Sequence, residues 1–197
     1  MRADITFVVE GSYPFVSGGV SSWVHQLIGA FPEWRFYLVF LGSRREDYGP
    51  ARYELPPNVA GLEVHYLFEP EPTAPLGVPE PSAQVMAEIE AMHDAFVGGR
   101  ATEAMQHLGG VCSTMLEGLR LTREHFLRSH AAWKFLCNRY ERFCAPSGFL
   151  DYFWMVRTMH APLWKLAAIA RQLPETRVYH TACTGYAGFL GVLAKAR

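Results

Sequence analysis

Residues 5–24 read Ile5-Thr6-Phe7-Val8-Val9-Glu10-Gly11-Ser12-Tyr13-Pro14-Phe15-Val16-Ser17-Gly18-Gly19-Val20-Ser21-Ser22-Trp23-Val24. Ile5 to Val9 is β-branched and apolar almost throughout, the pattern of a strand buried on both faces of a parallel sheet. Gly11 to Gly19 carries the glycine, proline and serine of a loop. Val20, Trp23, Val24, Leu27, Ile28 and Phe31 then recur at helical spacing. Phe36 to Leu41 is a second apolar run, closed by Gly42. Strand, loop, helix, strand opens a βαβ unit and predicts an α/β protein with a mostly parallel sheet.

Further along, eight of the 13 prolines lie between Pro50 and Pro81, a loop-rich and acidic stretch whose strand candidate is Leu62 to Phe68. From Ser82 to Ala145 there is no proline, and the apolar spacing predicts three helices. The first is marked by Val85, Ile89, Met92 and Phe96. The second runs from Ala101 to Leu119, with Gly109-Gly110 as a weak point. The third runs from Phe126 to Phe143. Pro146-Ser147-Gly148 reads as a turn, and Leu150 to Leu173 as a fourth helix bent by Pro162. Arg177 to Thr181 is a strand candidate, and Thr184 starts a last helix. The expected architecture is a Rossmann-like, doubly wound α/β domain with a helical insertion over about 82–173, placed before its fourth strand. Gly185 to Arg197 has the spacing of a helix without a stop signal, so the pattern is expected to continue past this chain.

The 197 residues are 50% hydrophobic and 19% charged, which excludes wholesale disorder. Eighteen Lys and Arg against 19 Asp and Glu give a net charge of −1, too little positive charge for a general nucleic-acid binder. There is no secretory signal and no run of about 18 uncharged apolar residues. Cys112, Cys137, Cys144 and Cys183 form no C-x-x-C pair and are expected to be reduced, buried thiols. The histidines form no ligand pair, so no metal is expected. Together these features point to a cytoplasmic protein.

Two constellations carry candidate chemistry. Gly18-Gly19 at a helix start would expose backbone N–H groups to an anion, with the helix dipole adding positive charge. Ser21 and Ser22 would add hydroxyl contacts or simply cap the helix. The loop lacks the lysine of a Walker A motif and the spacing of a dinucleotide fingerprint. Ser43-Arg44-Arg45 after the second strand keeps an NADP oxidoreductase open. The second constellation is Tyr179-His180-Thr181-Ala182-Cys183-Thr184-Gly185-Tyr186. There His180 ends a strand, on the edge where open α/β sheets bind ligands. It would serve a sugar hydroxyl or developing charge, or bond a nearby carbonyl. Thr184 and Gly185 would head the next helix as a cap and a close-approach point. Glu10 would face the site, or, as the preferred reading, bond the Gly11-to-Gly18 loop.

The string from Val9 to His25 resembles the amino-terminal signature of PelF-type glycosyltransferases of Pel exopolysaccharide synthesis. The block from Tyr179 to Gly188 resembles that family's H-x-x-x-T-G-Y-A-G segment. The family is similar to retaining family-4 glycosyltransferases of GT-B fold. The resemblance implies that this chain is the amino-terminal, acceptor-side domain, that a carboxy-terminal donor-binding domain is absent from it, and that the chain alone does not transfer sugar. It implies a hexosyl transfer from a nucleotide sugar, a UDP-sugar, to a growing exopolysaccharide, as part of biofilm matrix synthesis and without a metal. Gly18 and Gly19 would lie near the donor diphosphate, His180 near the transferred sugar, and Thr184 and Gly185 beside the same loop. The implied partners are the polysaccharide acceptor and an inner-membrane synthase complex. A docking role for the helical insertion, with its Trp133, Phe135, Trp154 and Trp164, is the second reading.

Overall fold

The computed structural model describes residues 3–69, 79–144 and 148–197. Two compact units divide the chain: residues 1–71 with 169–195, and residues 72–168 with 196–197. The expected turn residues Pro146 and Ser147 lie outside the described residues, as does the stretch 70–78 of the proline-rich region.

The first unit is α/β. β1 (Ala3–Glu10) leads into α1 (Gly19–Ala30), β2 (Phe36–Gly42) and β3 (Val59–Tyr66); β4 (Thr176–Thr181) and α8 (Tyr186–Ala196) complete it. The four strands are all parallel, in the order β3-β2-β1-β4. That is the Rossmann-like arrangement, in which the chain reverses its direction of strand addition after β3. The reversal places a crevice beyond the carboxyl ends of β1 and β4, where such sheets bind ligands. β3 starts three residues earlier than the apolar run at Leu62, because Val59 and Gly61 already pair with Phe36 and Tyr37.

Side chains alternate between the two faces of a strand, and this assigns the core. Phe7 and Val9 lie on the face covered by α1, clustered with Val24, Ile28, Phe36, Leu38 and Phe40. Thr6, Val8 and Glu10 belong to the opposite face. The central strand β2 is buried almost throughout, as its unbroken Leu38-Val39-Phe40-Leu41 run requires. β3 and β4 are the two edge strands, and Val178 of β4 is 45% exposed.

The second unit is helical. α2 (Ala83–Val97), α3 (Ala101–Glu117), α4 (Arg123–Arg128), α5 (His130–Phe143) and α6 (Phe149–His160) precede α7 (Leu163–Gln172), which leads toward β4. α2 packs on α3 and α5, and α5 packs on α4 and α6. Three details differ from the sequence expectation. The third predicted helix is split at Ser129, whose hydroxyl accepts from the Ala132 N–H at 3.0 Å and so starts a new helix. The fourth is broken, not bent, between His160 and Leu163, next to Pro162. Gly109-Gly110 does not interrupt α3.

Candidate functional site

The loop from Gly11 to Gly18 is fixed at several points. Gly11 takes φ +59°, a left-handed angle that favours glycine, and its N–H donates to the Leu41 carbonyl at 2.9 Å. Tyr13 is fully buried, with its hydroxyl 3.1 Å from His25 Nδ1. Burial and the neighbouring Tyr53 push the Tyr13 phenol up to about 12. Phe15 packs on Phe40 and Tyr48. The Arg52 N–H donates to the Pro14 carbonyl at 2.8 Å, tying the loop to the chain beyond β2.

This fixed loop delivers an open helix start. Gly18 is extended (φ 166°, ψ 177°), and its carbonyl accepts the first helical bond, from the Ser22 N–H. No side chain caps α1. Gly18 and Gly19 are exposed, and a Cβ on either would meet nothing within 4 Å. Neither backbone strain nor the protein's own packing calls for glycine at these two positions. What glycine leaves there is room next to the first N–H groups of a 12-residue helix.

Ser21 does not fit either expected role. It is 1% exposed, and its hydroxyl donates back to the Val16 carbonyl at 2.5 Å. It staples the loop and has no hydroxyl to offer an anion. Ser22 stands 3.1 Å from the Tyr53 hydroxyl. Sequence reading missed Ser12, whose hydroxyl is shielded from solvent without a hydrogen-bond partner. It is a small residue among turn formers, so no pattern marks it.

Glu10 corrects a second expectation. Its Oε2 accepts from the Ala187 N–H at 3.0 Å, so it bonds the start of α8 and not the Gly11-to-Gly18 loop. The reason is strand alternation: Glu10 belongs to the sheet face opposite Phe7 and Val9, and α8 meets it there. Gly185 leaves space for the same carboxylate, since a Cβ on it would come within 3.0 Å of Glu10 Oε2. The Gly185 carbonyl accepts from the Phe189 N–H, which makes Gly185 the residue that opens α8. Thr184 is exposed and makes no hydrogen bond among the described residues, so it does not cap the helix.

His180 pairs in register with Phe7 and shares its face. Its ring lies 4.8 Å from the Phe7 ring and 5.8 Å from the Trp23 ring. β1 runs on past that level through Val8 and Val9 to Glu10. His180 therefore stands beside α1, while Glu10 stands by α8 on the other face. The expected site residues fall into two groups: Gly18, Gly19 and His180 with α1, and Glu10, Thr184 and Gly185 with α8.

Other charged features are structural. Arg44 pairs with Glu46 at 3.6 Å, the Arg45 N–H donates to Glu69, and the Arg45 guanidinium lies over the Tyr66 ring. The Arg44 charge thus meets an acidic group and the Arg45 charge an aromatic ring. In the helical unit Arg139 and Arg142 share Asp94, and Glu80 accepts from the N–H groups of His130 and Ala131. Burial, with the neighbouring His160 ring, pushes His93 down to about 4. Burial pushes the Cys112 thiol up to about 11, which leaves it unreactive at neutral pH. Phe135 is buried, and Trp164 donates to the Leu121 carbonyl at 2.9 Å, whereas Trp133 and Trp154 are 48% and 57% exposed. Among the described residues no group of three or more His, Cys, Asp and Glu could hold a metal ion, and no helix is long and apolar enough to cross a membrane.

The four-stranded parallel sheet with α1 and α8 on its two faces defines a Rossmann-like α/β protein. Over residues 3–197 the chain matches the family described as a domain of unknown function, DUF3492. It belongs to that family, a domain known in glycosyltransferase-like proteins. No curated protein and no solved structure matches the chain.

Proposed function

We propose that this chain is the amino-terminal part of a retaining, PelF-type glycosyltransferase. It transfers a hexosyl unit from a nucleotide sugar, a UDP-sugar, to a growing exopolysaccharide. The observation that carries the reading is the pair Gly18-Gly19. It opens a helix at the switch-point edge, in a loop held by Tyr13, Ser21 and Gly11, with open space where a side chain would stand. In the transfer, the bond from the sugar's anomeric carbon to the diphosphate breaks, and the bonding electrons leave with the diphosphate. A new bond forms to an acceptor hydroxyl, whose proton passes to an oxygen of the leaving diphosphate. Helix N–H groups favour the charge that builds on the leaving diphosphate. His180, exposed on the α1 side, serves the transferred sugar. A second Rossmann-like domain holds the nucleotide from the other side of the cleft.

The test is release of UDP from UDP-glucose or a UDP-N-acetylhexosamine by the protein that carries this chain together with its donor-binding domain. Gly19→Val and His180→Ala are each expected to lower turnover at least tenfold with folding intact. Turnover unchanged in both would remove the site assignment.

A second reading, docking on an inner-membrane synthase complex, has one observation in its favour. α6 leaves Leu150, Trp154, Met155 and Met159 half-exposed or more. Replacing Leu150 and Trp154 together by serine should release the protein from that complex without lowering UDP release. Retained association would dismiss this reading.

A further inference from the structure

Trp23 is 44% exposed although it sits on the core side of α1. Its ring meets the buried Phe7 edge-on, with centroids 6.3 Å apart and an interplanar angle of 85°. The His180 ring is tilted against it at 43°. Phe7 thus packs against one part of the indole and His180 of the edge strand against another, and the rest of the ring stays exposed. Val20, one turn before Trp23, and Val178, two residues before His180 on the same strand face, are 42% and 45% exposed. The patch is apolar and aromatic except for one imidazole. That imidazole has no hydrogen-bond partner among the described residues.

A flat, fixed aromatic surface beside an unpartnered group that both donates and accepts suits one chemistry well. A pyranose ring has an apolar face of C–H groups that covers an indole, and a rim of hydroxyls. A neutral imidazole offers one N–H donor and one ring-nitrogen acceptor, and so meets those hydroxyls in either sense. A purely apolar protein segment would leave the imidazole unpaired at a cost of about 1–3 kcal/mol.

Position adds a length argument. Trp23 lies four residues beyond Gly19, a rise of roughly 6 Å along the helix axis. That is the reach from a phosphate to the one sugar ring it carries. A phosphate at the open start of α1 would set its sugar on the indole.

We infer that Trp23 and His180 form a stacking platform for the hexopyranose ring of the sugar nucleotide, with Trp23 as a donor-specificity residue. This rests on the donor reading above. It adds a residue and a recognition mode: Trp23 distinguishes a sugar nucleotide from the bare nucleotide.

The experiment labels the protein that carries this chain together with its donor-binding domain with 5-fluorotryptophan and follows its fluorine resonances during titration with UDP-glucose and, separately, UDP. The Trp23 signal is assigned from Trp23→Phe. UDP-glucose is expected to move the Trp23 resonance and UDP to leave it in place. Trp23→Ala should weaken UDP-glucose at least fivefold without altering UDP affinity, and Trp23→Phe should keep most of the binding because it keeps a ring. If both ligands bind and Trp23 neither shifts nor matters, the platform is wrong and the diphosphate site stands. If neither ligand binds at millimolar concentration, the platform falls together with the donor reading.

Discussion

Helices α1 and α8 follow parallel strands of one sheet, so both begin at the same carboxyl edge. Each has backbone N–H groups to satisfy and the positive end of a helix dipole. α8 meets both needs from within: Glu10, 177 residues earlier in the chain, places a carboxylate oxygen on the Ala187 N–H, and Gly185 makes room for it. α1 has no such group, no cap and two glycines facing open space. One helix start is closed by a carboxylate of the fold itself, and the other has no such group and no side-chain cap. A glycine pair at a helix start is thus informative only once its surroundings are known. Gly185 accommodates a neighbouring side chain, and Gly18-Gly19 accommodate nothing in the protein itself.

The largest effect is expected in the scaffold beneath the open helix start. Tyr13→Ala removes a fully buried ring beneath the loop and should cost about 3–5 kcal/mol in urea unfolding. It should also abolish UDP binding, because the loop loses its anchor. A smaller effect comes from alkali. The Tyr13 pKa is raised to about 12 in the folded state against 10.0 unfolded. Its contribution is therefore complete below pH 10 and is lost as pH rises toward 12, since the unfolded chain then releases a proton that the folded chain keeps. The loss is about 2–3 kcal/mol by pH 12. Urea midpoints measured across that range should show it, and Tyr13→Phe should lessen the loss, with Tyr37, also raised to about 12 by burial and its bond to Glu63, keeping its own share.

Glu10→Ala sharpens the contrast. Loss of the carboxylate from α8 should cost about 1–2 kcal/mol. It should also open a second anion site, so that calorimetric titration with pyrophosphate finds two sites where the unaltered chain has one. The smallest change in stability is expected at Gly19. A Cβ at Gly19 meets nothing within 4 Å, and Gly19→Val should shift unfolding by no more than about 0.5 kcal/mol. The same variant should lose UDP binding more than tenfold. A large loss of stability there would mean that the glycine serves the fold after all.

Much of this architecture was legible in the sequence because the signals were local. The β-branched run Ile5 to Val9, the glycine-rich loop and the spacing from Val20 to Phe31 each announce one element, and the structure has those elements. Glu10 was legible as a strand end but not as a partner of Ala187. Its direction depends on which sheet face α8 covers, and that follows from the strand order, not from nearby residues. The separation of His180 from Glu10 was hidden for the same reason. Only the register of Phe7 with His180 shows that the two candidates stand on opposite faces. Ser21 looked like a cap because serine at a helix start usually is one. The Val16 carbonyl, brought within 2.5 Å by the loop, takes its hydroxyl instead. The split at Ser129 was masked by apolar residues whose spacing continues across it.

The central claim is that α1 is open to a ligand anion and α8 is closed. A proton–nitrogen correlation spectrum of the protein that carries this chain together with its donor-binding domain, titrated with UDP, tests it directly. Shifts are expected at the amides of Gly19, Val20 and Ser21, with Tyr186 and Ala187 unmoved. Shifts at Tyr186 and Ala187 instead, or none at Gly19 to Ser21 under saturating UDP, would contradict it.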